Sequence, residues 1–172
     1  MARRAVRVMT QRHQTARRGS IILEFALTAP VLMGLMMTVL EGAWQALTAA
    51  TLDIGAREAS RFGATGEAAP DWLPPPAPAT REEAVRRVVL WFGPYVLNAD
   101  HLTVRVTAYA GPAALASPTP GQAGAGGAGE TVLYELTYQQ PFLSPLPALL
   151  FGRTSLDHTS RMIVRNEPFP AS

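Results

Sequence analysis

The chain contains no cysteine and no lysine. Without cysteine there are no disulfides and no thiolate metal sites, and neither a reducing nor an oxidising compartment is ruled out. Without lysine every basic side chain is an arginine, which reads as base-composition bias and not as chemistry. Acidic residues are missing from the first 18 positions, which hold six of the fifteen arginines: Arg3, Arg4, Arg7, Arg12, Arg17 and Arg18. Past Gly66 the balance reverses to seven arginines against nine acids, so the net charge of +2 and the basic pI report a tail and not a nucleic-acid-binding surface.

Catalytic signatures are also missing. There is no GxSxG, phosphate-binding loop, dinucleotide fingerprint or HExxH pair. His13, His101 and His158 are too far apart in sequence to suggest a metal site. Asp157 and His158, with Ser155 or Ser160 nearby, resemble hydrolase residues in type. Neighbouring strand residues point to opposite faces, however, so these cannot form a triad with one another. The expectation is a non-enzyme with no catalytic residue, no metal or cofactor, no small-molecule substrate and no nucleic-acid partner.

What is present is a long apolar run. Ser20 to Leu40 (SIILEFALTAPVLMGLMMTVL) is 21 residues with one charge, Glu24. At about 1.5 Å per residue this crosses a hydrocarbon core of roughly 30 Å. Arg17 and Arg18 abut its start, so the positive-inside tendency predicts a cytoplasmic tail and an external remainder. A cleaved secretory signal shares the basic start, but its apolar region is usually about 7 to 15 residues and ends in a small-x-small site. Here the run is longer, carries Glu24 and continues into Glu41-Gly42-Ala43-Trp44-Gln45. Pro30 removes one backbone donor and predicts a bend, which membrane helices tolerate.

The helical pattern extends past the span through Trp44, Leu47, Leu52, Ile54 and Phe62, predicting one helix over about 20–63 that Gly63 and Gly66 end. Asp53, Arg57 and Arg61 stand four residues apart on one face, and Arg57, Glu58 and Arg61 are expected to form a solvated or domain-facing salt-bridge cluster and not a catalytic group. PDWLPPPAP (70–78) excludes helix and interior strand. Thr80-Arg81-Glu82-Glu83 has capping-box spacing and opens a short amphipathic helix, stopped at Gly93-Pro94. Period-2 alternation predicts strands at Leu102–Ala108, Val132–Tyr138 and about Ser155–Arg165. The 111–130 segment is rich in Gly, Pro and small residues and is expected to form a loop that does not pack. PFLSPLP (141–147) leads into the apolar Leu149-Leu150-Phe151.

The expected organisation is a basic leader (1–19), a transmembrane helix (20–40), its continuation outside the membrane (41–66), a Pro-rich connector (67–79) and a small domain (80–172). The class is α+β, with a helical spine, a short helix and a small antiparallel sheet of about three strands.

Glu24 needs an explanation, because an ionised carboxylate in an apolar span costs several kcal/mol unless it finds a partner. One reading is that it snorkels to the interface, close to Gly19. The other takes in its neighbours, Arg17-Arg18-Gly19-Ser20-Ile21-Ile22-Leu23-Glu24-Phe25, with Glu at the fifth place after Gly19. Cutting after Gly19 would create an ammonium at Ser20, which a neighbouring subunit's Glu24 could pair with.

This arrangement resembles the processing site of type IV pilins and pseudopilins. More narrowly, Gly19–Pro30 with Gly55-Ala56-Arg57, Gly63-Ala64-Thr65-Gly66 and the closing Val164–Phe169 resembles the TadE-like family of tight-adherence (Flp) pilus systems. The resemblance implies a minor pseudopilin or accessory assembly protein with a pilin-like fold, anchored in a bacterial inner membrane with its C-terminal domain in the periplasm. Its implied partners are a prepilin peptidase acting at Gly19 and Ser20, and other pilin-like subunits contacting Glu24, Phe25 and Pro30. Phe25 stands where the major pilins carry Tyr, which favours an accessory subunit. The alternative is an uncleaved single-pass anchor for a periplasmic adaptor or binding module.

Overall fold

The computed structural model describes residues 2–65 and 70–168, with side chains from Ser20 onward. Gly66 as a helix stop, connector residues 67–69, Phe169 and the side chains of the 1–19 leader lie outside the described residues. The chain divides into two units, Met1–Gly42 and Ala43–Ser172.

Helix α1, Ala2–Ala64, runs through both. In the first unit its large apolar side chains, among them Ile21, Ile22, Leu23, Phe25, Leu27, Val31, Leu32, Leu35 and Val39, are exposed around the whole circumference. A helix that is apolar on every side needs an apolar solvent. Among the described residues α1 alone is long and apolar enough to cross a membrane, with a mean hydropathy of 1.9 and no part of that window buried. The helix continues through Pro30.

The second unit is a four-stranded antiparallel sheet in the order β2-β1-β3-β4, covered on one face by helices. The strands are β1 Leu102–Tyr109, β2 Gln122–Ala123, β3 Thr131–Pro141 and β4 Ser155–Arg165; α2 is Arg81–Phe92, α3 Pro112–Leu115 and α4 Leu146–Phe151. Register pairs Val106 with Tyr134 and Tyr134 with Met162, which puts the even-numbered residues of these strands on one face. Val106, Val132, Tyr134, Leu136 and Tyr138 there meet Leu52, Ala56 and Ala59 of α1 and Val85, Val88 and Val89 of α2.

Gly55 permits this meeting. A Cβ on it would lie 3.0 Å from Val89 Cα, so α1 and α2 cross in backbone contact. Helix α2 opens as expected, with Thr80 accepting a hydrogen bond from the Glu83 amide. The Glu83 carboxylate, however, reaches the amide of Ala79 and not that of the cap residue. The Arg87 guanidinium holds the Pro-rich connector through the carbonyls of Pro74 and Pro76.

Two expectations change. The sheet has four strands, because β2 forms inside the Gly-rich stretch and pairs with Thr107 and Ala108. That stretch is also tied down elsewhere: Asn166 Nδ2 donates to the carbonyls of Ala125 (2.8 Å) and Gly127 (2.9 Å). The 111–130 segment is therefore tied to the domain through backbone groups, a role its composition does not reveal, while none of its residues is buried. The ion pair near the end of α1 joins Arg61 to Glu58 at 3.7 Å, two of the three residues expected to form a salt-bridge cluster there.

Candidate functional site

The residues singled out in the N-terminal segment fall on α1 at known angles, because successive side chains turn by about 100°. The Ser20 hydroxyl donates to Glu24 Oε1 at 3.0 Å. One turn on, Thr28 donates back to the Glu24 carbonyl at 2.9 Å, and further along Thr38 does the same to Gly34. Phe25 is exposed and about 100° round from Glu24; Pro30 is about 120° round the other way. The structure thus brings Ser20 and Glu24 together and puts Phe25 and Pro30 on other faces.

The sequence reading missed a stripe that contains Glu24. The polar residues of the span are Ser20, Glu24, Thr28 and Thr38. With Gly34 and Gly42 they lie within about 120° of the circumference. Gly34, Thr38 and Gly42 are four residues apart, the small-xxx-small spacing that lets membrane helices approach closely. A Cβ at Gly34 or Gly42 would meet nothing within 4 Å, so no packing inside the chain requires either glycine. A helical projection of the span finds this stripe; scanning for charges alone finds only Glu24.

In the second unit polar contacts join α1 to the sheet. Thr48 Oγ1 meets Gln140 Oε1 at 3.1 Å, and Gln45 Oε1 meets His158 Nε2 at 2.8 Å. His158 therefore has a structural partner. Its desolvation lowers its pKa below the ordinary 6.5, partly opposed by Asp157. Asp157 and Ser155 lie on the exposed face of β4, whereas His158 and the buried Ser160 face the helices. His101 Nδ1 sits 2.9 Å from the Gln139 carbonyl. Among the described residues no three of His, Cys, Asp and Glu form a group fit for a metal.

At the far end of α1, Gly63 admits the Tyr134 ring: a Cβ there would lie 2.3 Å from the tyrosine oxygen. That hydroxyl has no hydrogen-bond partner among the described residues. Burial raises its pKa above 10.0, with Arg81 opposing and Glu82 reinforcing the shift.

A family model described as TadE-like protein matches residues 19–61. No curated protein and no solved structure gives a significant match. The matched residues run from the glycine before Ser20, through the polar stripe, to the part of α1 that packs against α2 and the sheet.

Proposed function

We propose that this TadE-like chain is a minor pseudopilin or accessory assembly subunit of a tight-adherence pilus, anchored in the inner membrane by 20–40. Its N-terminus lies in the cytoplasm and its sheet domain in the periplasm. A prepilin peptidase cuts after Gly19, and the helix then packs with other pilin-like helices.

The observation that carries this reading is the stripe. In lipid no hydrophobic force drives helices together, so close approach at small residues and interhelical polar contacts must do so. Gly34, Thr38 and Gly42 offer close approach, and Glu24 offers a carboxylate whose partner in its own chain is the neutral Ser20 hydroxyl. A neighbouring subunit's ammonium at a newly exposed Ser20 is the stronger partner, because ionic hydrogen bonds are roughly twice as strong as neutral ones.

Mass spectrometry of the protein from its native envelope tests the processing step: the N-terminus should be Ser20, and an intact 1–19 tail sinks that step. Glu24→Gln and Gly34→Leu should leave cleavage intact and reduce piliation; normal piliation in both removes the assembly role of the stripe. The Ser20 to Glu24 hydrogen bond also suits a second reading, an uncleaved anchor for a periplasmic adaptor in which Glu24 is satisfied within its own chain. An intact tail together with normal piliation selects that reading.

A further inference from the structure

The β3–β4 connection carries exposed apolar residues that neither the core nor the anchor uses. Leu149, Leu150 and Phe151 of α4 are 78, 71 and 75% exposed. Gly152, in the left-handed region at φ 67°, ends the helix. The Phe142 amide closes the base of the connection on the Thr154 carbonyl at 3.1 Å. Between Glu135 and Asp157 the single charge is Arg153.

The position of this tip within its unit follows from the contacts of α1. Near the C-terminal end of α1, Gly63 faces Tyr134 and the Ala64 carbonyl accepts from the Glu167 amide. Near the other end, Thr48 meets Gln140 and Gln45 meets His158. β3 therefore runs against α1 and β4 runs with it, so the 142–154 connection lies at the end of the domain where α1 enters at Ala43. The apolar span ends three residues earlier, at Leu40, and Trp44 follows it as aromatic residues do at a membrane interface.

The geometry points to a second membrane contact: α4 lays Leu149, Leu150 and Phe151 into the interfacial layer of the bilayer that holds α1, with Arg153 at the level of anionic headgroups. A short helix with exposed leucine and phenylalanine at its end and an arginine just after it is suited to that layer, where apolar burial and attraction to anionic lipid add. The occupant is lipid because the patch shares the end of the domain from which the anchor leaves, and because its one charge is complementary to an anionic surface. Two points of attachment would fix how the domain stands on the membrane, which a single helix leaves free to rotate. The inference rests on the reading of 20–40 as a membrane span.

Because the chain has no cysteine, single-cysteine variants of the full chain take one label each. Spin labels at Leu149→Cys, Phe151→Cys, Val31→Cys and Thr137→Cys are compared in mixed phosphatidylethanolamine and phosphatidylglycerol vesicles, using oxygen and a water-soluble nickel chelate as relaxants. Labels at 31, 149 and 151 should favour oxygen, and the label at 137, on the uncovered face of the sheet, should favour nickel. Adding Phe151→Glu should return the label at 149 to nickel accessibility without changing the melting temperature, since residue 151 is outside the core. If 31 is in lipid while 149 and 151 remain in water, the inference fails and the anchor stands. If 31 is in water, the anchor reading itself fails. Protection of 149 and 151 in native envelopes but not in pure lipid vesicles assigns the patch to a protein and overturns the lipid contact.

Discussion

The Thr48 hydroxyl and the Gln140 side chain, 92 residues apart, meet at 3.1 Å and are both buried. Thr48 has one proton, shared between Gln140 and the Trp44 carbonyl behind it. Thr48→Val leaves the Gln140 oxygen buried and unpaired, at a cost of about 1–3 kcal/mol. Adding Gln140→Leu should cost less than the sum of the two single changes, because no orphaned acceptor remains. Thermal unfolding of the full chain in detergent measures the cycle; additive losses would show that the two side chains do not couple.

The Gly55 contact with Val89 predicts a steric limit. Gly55→Leu forces backbone apart where a Cβ already meets Val89 Cα at 3.0 Å, and should cost about 1–3 kcal/mol despite leucine's better helix propensity. Unchanged stability would mean that α1 and α2 do not cross at this glycine.

His158 predicts an acid-side loss of stability. Its folded pKa lies below 6.5, so the unfolded chain binds the proton first. The stabilisation is present above 6.5 and fades as pH falls from there through the folded value. Melting temperatures of the parent and His158→Gln should converge or cross below that pH; a constant difference across the range would remove the histidine as the cause.

Tyr134 predicts the opposite end of the pH scale. Its folded pKa is raised, so its stabilisation is complete below 10.0 and is lost as pH climbs above that value. Tyr134→Phe deletes a hydroxyl with no partner among the described residues, and should leave stability at neutral pH unchanged or raise it by about 1 kcal/mol. It should also flatten the alkaline loss. A clear destabilisation at neutral pH would reveal a partner for that oxygen.

The strand assignments show what local pattern can reveal. The alternation of Val104, Val106 and Ala108 with polar residues, and of Val132, Tyr134 and Leu136 with Leu133, Glu135 and Thr137, is a property of short windows, and it corresponds to the two central strands. The missing strand, Gln122–Ala123, has no such window: two residues among glycines become a strand because β1 offers free backbone groups beside them. Likewise the Ser20, Glu24, Thr28, Gly34, Thr38 and Gly42 stripe is legible once the segment is known to be helical. The Gln45 to His158 contact is not, because it joins residues 113 apart and depends on the register of β4.

From its sequence alone the chain has an apolar segment of membrane-spanning length, a basic flank, a helix continuing beyond the span and alternating strands. Each of these follows from hydropathy or periodicity over fewer than two dozen residues. Tertiary structure alone decides that Gly55 is a helix crossing and that the Gly-rich segment is held by Asn166. It also decides that the β3–β4 tip shares the end of the domain where α1 enters. These depend on which distant backbone and side-chain groups meet when the sheet closes over the helices, and no local window contains both partners.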